Sequence, residues 1–366
     1  MRGSELLDKM ALIDPAYLAE AERAPVRRGK PWLRRAAAAA ACLCAAAGAL
    51  LLARPRLEKI EIPPLENAGM GYESYLYYDA AELENGNPWT ADSAPSALPV
   101  YRNLAYHPRG WPTGLDETEM RALLDEAAAA LGLELGEVKS VSAGIGGGDL
   151  PETGIAGLRA AAGGGELRVN ADGDLLYVLP DGGDPVPADC ADDAAIAEYF
   201  AVRYGAFLGF ASPRAAIRTE RSYSGEARVH YEVYDAAGSA ADRIVSYNLR
   251  SAVLEIVDGA LQAIGLDGSL RTAEMIGDYP IISVAEAAAR LDAGDYQTDY
   301  YLNTGLPGAD AAVRVELVYR SGHTDALLVP FYRFYLPIAS QNPNQAPDLK
   351  TCIACYVPAV RREYIK

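Results

Sequence analysis

Along the C-terminal two-thirds of the chain, apolar positions recur mostly every second residue, and three stretches break this rhythm with the helical period. The first predicted helix covers 116–131. Asp116 and Glu119 are spaced as a capping box, Gly132 is a stop, and Met120, Leu123, Leu124, Ala127 and Leu131 form one apolar face. The second covers 192–208, with Ile196, Tyr199, Phe200, Tyr204 and Phe207 inward. The third covers 284–293: Ser283 and Glu286 make a capping box, Ile282 precedes it as a staple, and Gly294 ends it. Period-two segments follow each helix. ELRVNADGDLLYVLP predicts a hairpin turning at Asp172-Gly173, and AVLEIVDGALQAI one turning at Asp258-Gly259. Ala227, Val229, Tyr231 and Val233 alternate with Glu226, Arg228, His230 and Glu232. Likewise Val313, Val315, Leu317 and Tyr319 alternate with Arg314, Glu316 and Arg320, as expected for a sheet with one wet face. A helix laid on an antiparallel sheet, repeated, predicts an α+β fold with modules at 113–189, 190–280 and 281–366. Residues 54–112 are rich in proline and tyrosine and predict a stalk and lead-in with short edge strands at GYESYLYYD and LPVYRN.

The N-terminal part has a different pattern. Within RRGKPWLRRAAAAAACLCAAAGALLLARPR, residues 36–53 carry no charge and span about 27 Å as a helix. Leu50, Leu51 and Leu52 supply much of the apolar character, while Trp32, Arg34 and Arg35 form a collar of the type found in headgroups. The expectation is a single transmembrane helix at 36–53, with residues 1–35 cytoplasmic and the bulk of the chain extracytoplasmic in the cell membrane. A cleaved signal peptide, a lipoprotein site at Cys42 or Cys44 and a buried Ala-rich helix compete with it. In the tail, Leu6, Met10, Ile13 and Tyr17 fall on one helical stripe. That stripe suits a membrane-surface or partner-docking helix, and a disordered tail is the equal alternative.

Charge sharpens the picture. The formal net charge is −17. Residues 1–35 hold eight basic and five acidic side chains, or +3, and the remainder holds 25 basic against 45 acidic, or −20. An acidic body excludes nucleic acid as a partner, because phosphate contacts need a basic surface. Tyrosine is frequent, 23 against 5 phenylalanines, which suits half-buried strands and binding surfaces.

The candidate chemistry is sparse. Gly144, Gly146, Gly147 and Gly148 lack the following helix and Lys-Ser/Thr of a phosphate cradle. Asn170, Asp172 and Asp174 begin like a calcium loop, but Leu175 and Asp181 stand where Gly and Glu belong, and a hairpin explains them. Cys352 and Cys355 lie in a strand pattern that points them to opposite faces, which argues against a disulfide or a metal pair. His107, His230 and His323 form no metal or catalytic motif. No cofactor and no metal are expected. A catalytic site assembled from distant residues stays open in the sequence, as does a carboxylate pair.

The segment VRVELVYRSGHTDALLVPFYRFYLPI, preceded by ISVAEAAARLDAGDY, resembles the extracytoplasmic YycH/YycI regulators of Gram-positive bacteria. The matched positions are Glu316, Leu317, Val318, Tyr319, Pro330, Tyr332, Arg333, Phe334 and Tyr335, within 281–337. The resemblance implies PepSY-like modules and association with a sensor histidine kinase. The tail LLDKMALIDPAYLAEAE is similar to the leader of clostridial membrane proteins that include anti-sigma factors. The expected function is therefore a non-enzymatic, single-pass regulator that binds another envelope protein, within a sensor-kinase or sigma-factor system. A tethered binding module for peptide, wall polymer or small ligand is the alternative, and a hydrolase the third. Tyr332, Arg333 and Tyr335 are read either as a partner-binding patch or as alternating residues of an aromatic sheet face.

Overall fold

The computed structural model describes residues 57–65, 76–108, 113–142, 155–298, 305–322, 324–340 and 342–366. Residues 57–366 form one unit. Its two ends pair: the Ile60 N–H donates to the Tyr364 carbonyl at 2.8 Å, and the Lys366 N–H donates to the Ile60 carbonyl at 2.9 Å.

Sheet dominates. Among the described residues there are sixteen strands in three sheets, against five α-helices, one of them a single turn. The largest sheet runs β3 (Lys139–Ser142), β4 (Ile155–Ala162), β5 (Gly165–Asn170), β6 (Leu175–Val178), β11 (Ala260–Leu266), β10 (Ala252–Val257), β9 (Ala227–Asp235), β8 (Pro213–Arg221), with β7 (Asp184–Pro185) also on β11. The second orders β1 (Leu76–Tyr77), β16 (Cys352–Pro358), β15 (Pro330–Pro337), β13 (Arg314–Tyr319). The third orders β12 (Ala273–Pro280), β2 (Ala97–Asn103), β14 (Leu327–Leu328).

Local chemistry accounts for the helices. In α1 (Glu117–Leu131) the Asp116 carboxylate accepts from the Glu119 N–H at 2.8 Å and Glu119 accepts from the Asp116 N–H at 2.9 Å. Gly132 closes it at φ 67°. The second predicted helix breaks at Tyr204 into α2 (Asp193–Arg203) and the turn α3 (Gly205–Leu208). The sequence reading passed over α4 (Ala240–Leu249), although Ser239 and Asp242 form a capping box there. The third capping box starts α5 (Val284–Asp292) as expected from Ser283 and Glu286. At the β10–β11 turn, Asp258 and Gly259 both have positive φ, 50° and 75°, the geometry that a two-residue hairpin turn requires.

α1, α2 and α3 cover one face of the largest sheet around Leu124, Leu158, Leu167, Phe200, Phe207 and Ile264. α4 and α5 cover one face of the second sheet around Ile244, Leu291, Leu317, Tyr332, Phe334 and Ile353.

These findings correct the expected fold class. A transmembrane helix followed by repeated helix-plus-sheet modules overstates helix and understates long-range sheet. β6 pairs directly with β11, so one sheet runs through strands from 139 to 266. The third sheet joins β2 to β12 and β14, partners 170 or more residues away that no local repeat supplies. LPVYRN, expected at an edge, is the central strand of that sheet. It tolerates Pro99 because β14 reaches only Tyr101 and Arg102, leaving the proline nitrogen opposite no second strand. The polar face of β13 is not wet: Glu316 is 1% exposed.

The membrane and single-pass assignments are likewise corrected. Among the described residues no helix is long and apolar enough to cross a membrane. The longest of them, α1, has 15 residues, about 22 Å, with acidic side chains along it. The stretch 36–53 with Leu50, Leu51 and Leu52, the collar Trp32, Arg34 and Arg35, and the stripe Leu6, Met10, Ile13 and Tyr17 lie outside the described residues.

Candidate functional site

The pleat of β15 separates the three residues singled out in YRFY. Tyr332 points into the core, 0% exposed, with its hydroxyl donating to the Ile282 carbonyl at 2.8 Å and its ring edge-on to Trp89 at 5.7 Å. Arg333 and Tyr335 point the other way. The three therefore form no common patch, and Tyr335 is itself 1% exposed.

On that opposite face, register brings three strands together. Glu316 of β13 stands directly across from Arg333, and Tyr356 of β16 stands across from Arg333 on its other side. The buried Glu316 carboxylate accepts from Arg314 Nε at 2.7 Å, Arg333 Nη2 at 2.6 Å, Arg333 Nε at 3.2 Å and the Tyr335 hydroxyl at 3.0 Å. Burial pushes this carboxyl up, but Arg333 and Arg314 more than offset it and hold it below the usual carboxylate range. Burial opposes the charge of Arg333, yet Tyr335 and Glu316 hold its guanidinium firmly protonated. That guanidinium lies 5.1 Å from the Tyr335 ring centroid, and Tyr77 meets the same ring edge-on at 4.9 Å.

This cluster forms one wall of a cleft of about 480 Å³. Arg333, Tyr335 and Tyr356 come from the second sheet, and Tyr77 and Asn85 from β1 and the segment after it. Arg218 and Glu232 come from β8 and β9, and Tyr247 from α4. Asn85 ties the walls together. Its side-chain oxygen accepts from Arg314 at 3.2 Å, and its carbonyl accepts from the Tyr247 hydroxyl at 3.1 Å. Burial raises the Tyr247 phenol, and both Glu316 and Glu232 add to that, which places the ring within the field of two carboxylates.

Glu232 opens onto the cleft. Its side chain is half-buried, and no described group hydrogen-bonds its carboxylate. Burial raises its pKa, and nearby Arg218 and His230 oppose that only in part. Arg218 and Arg333 line the cleft together with Glu232, while Glu220 stands 3.9 Å from Arg218 and Glu316 backs Arg333.

A larger cavity of about 890 Å³ lies between α4 and β2, where Asp235, Asp242 and Arg250 are already engaged. Asp235 accepts from the N–H groups of Ala211, Ser212 and Ala237, Asp242 caps α4, and Arg250 donates to the Gly209 carbonyl. Asn170, Asp172 and Asp174 form the β5–β6 turn. There Asp172 accepts from the Asp174 N–H at 3.0 Å, and Asp174 accepts from the Gly268 N–H at 2.7 Å. No group of three or more His, Cys, Asp or Glu among the described residues is arranged to hold a metal. Cys355 packs on the α4–α5 side of β16, and Cys352 on the other side with Tyr77 and Tyr335. His230 contacts Glu220 on the neighbouring strand. The glycine run 144–148 and His323 lie outside the described residues.

Sequence reasoning singled out Arg333 and Tyr335 and missed Arg218, Glu232, Tyr247, Tyr77 and Asn85 as their neighbours. Glu232 does stand on the polar side of the alternation in ARVHYEVYD, but nothing local says which sheet it faces. No family model matches the chain, and no characterised protein matches it.

Proposed function

We propose that this chain is a non-enzymatic binding module whose cleft takes a small polar ligand carrying an acidic group. The observation that carries the reading is the fixed guanidinium of Arg333 at the wall of the cleft, beside the rings of Tyr335 and Tyr356. Nε and Nη2 of Arg333 are committed to Glu316, so the guanidinium is held rigid at the cleft wall. A preorganised guanidinium beside tyrosine rings is suited to a carboxylate or phosphate, and the volume lies in the range of small-ligand sites. Among the described residues the lining has charge, amide and ring faces and no serine, cysteine or histidine, which supports binding over turnover. The burial of Tyr332 and Tyr335 favours this reading over a partner-protein patch on β15.

Isothermal titration of the full chain with glutarate and with inorganic phosphate tests it. Binding of either anion that weakens about tenfold in Arg218→Gln and further in Arg333→Met is expected. Binding of neither anion, or binding indifferent to both substitutions, overturns it.

A further inference from the structure

Glu232 is the carboxylate that lines the cleft among the described residues. Its carboxylate faces a space lined on the other sides by Tyr247, Tyr356 and Arg333, and no described group donates a hydrogen bond to it. The charges nearest to it are Arg218 on the adjacent strand and His230 on its own strand. A ligand with only an acidic group meets Arg333 but brings a like charge toward Glu232, which Arg218 and His230 offset only in part. Arg333 lies on the second sheet, and Glu232 lies with Arg218 on the largest sheet. Two fixed charges of opposite sign in one cleft complement a ligand whose own two charges are opposite. The rings of Tyr247 and Tyr356 add to this, since aromatic faces attract cations and a half-dry site strengthens the attraction.

We infer that the ligand carries a free ammonium beside its acidic group, so that short peptides and amino acids are its chemical class and Glu232 is the residue that selects them. This rests on the binding reading above. The acidic group lies toward Arg333 and Arg218, and the ammonium toward the Glu232 carboxylate between the tyrosine rings. A charge-assisted hydrogen bond to a carboxylate is about twice as strong as a neutral one, so an uncharged donor at that end is held more weakly.

The test compares the dipeptide alanyl-glutamate, its N-acetylated form and glutarate by isothermal titration of the full chain. The free dipeptide is expected to bind about tenfold more tightly than the acetylated one. In Glu232→Gln, an isosteric change, the two should come within about twofold of each other. Equal binding of free and acetylated dipeptide by the wild-type chain overturns the inference without recourse to any variant, and so does undiminished discrimination in Glu232→Gln. If glutarate binds and the amine brings no advantage, only the ligand class falls. If none of the three binds and inorganic phosphate does not bind either, the binding reading falls with it.

Discussion

Glu316 and Arg333 stand directly opposite one another on β13 and β15, and the carboxylate between them and Arg314 is 1% exposed. A charge buried this deeply persists only because four hydrogen bonds satisfy it, three of them from guanidiniums. The pair is both a joint in the second sheet and the rigid floor of the cleft.

Breaking it should be expensive. Glu316→Gln leaves two guanidiniums without their counter-charge and is expected to cost about 3 kcal/mol or more at pH 7 by urea denaturation. The folded-state pKa of Glu316 is depressed. Its stabilisation is therefore present above the unfolded carboxylate value of about 4.3 and is lost as pH falls through the folded value. The variant should show a flatter acid limb than the wild type. A variant as stable as the wild type at pH 7 would refute the role given to this pair.

Asp174 has the opposite sign. Burial, with Asp172 beside it, raises its pKa to about 7. Its contribution is full below the unfolded value near 3.9 and is lost as pH rises toward 7, so the ionised form burdens the fold above that. Asp174→Asn keeps an oxygen for the Gly268 N–H and should be the more stable protein at pH 8, by on the order of 2 kcal/mol. The advantage should shrink toward pH 4. Melting curves at the two pH values decide the matter, and an equal gap at both counts against it.

The same turn depends on a contact between two glycines. A Cβ built on Gly268 would come within 2.0 Å of the Gly173 carbonyl carbon, which is backbone and has no rotamer to move. Gly268→Ala is expected to cost about 2 kcal/mol or more. Gly265→Ala on β11 opens onto free space at an ordinary φ and should stay within about 0.5 kcal/mol of the wild type in the same denaturation assay.

Burial pushes the Cys352 thiol up to about 11, and Cys355 lies on the opposite face of β16. Iodoacetamide at pH 8 should therefore modify the half-exposed Cys190 in the folded protein and reach Cys352 and Cys355 only on unfolding. Peptide mapping by mass spectrometry reads this directly. Rapid native alkylation of Cys352 would contradict it.

Much of the local structure is legible in the residues themselves. Asp116–Glu119 and Ser283–Glu286 start their helices where the spacing predicts, Asp258-Gly259 turns its hairpin, and the parity of 352 and 355 separates the two thiols. Each of these rests on atoms within a few positions of one another, so spacing alone encodes them. The reading failed where a local signal was overlooked, as at Ser239–Asp242, and where distance along the chain mattered. Parity also puts Arg333 and Tyr335 on one face, but it says nothing about what that face meets. Glu232 lies about a hundred positions before Arg333, and only the docking of the largest sheet against the second brings both to one cleft. The pairings of β6 with β11 and of β2 with β12 are of the same kind. Periodicity names the face a residue occupies, and packing between distant strands decides its neighbours. In this protein the candidate chemistry belongs to those neighbours.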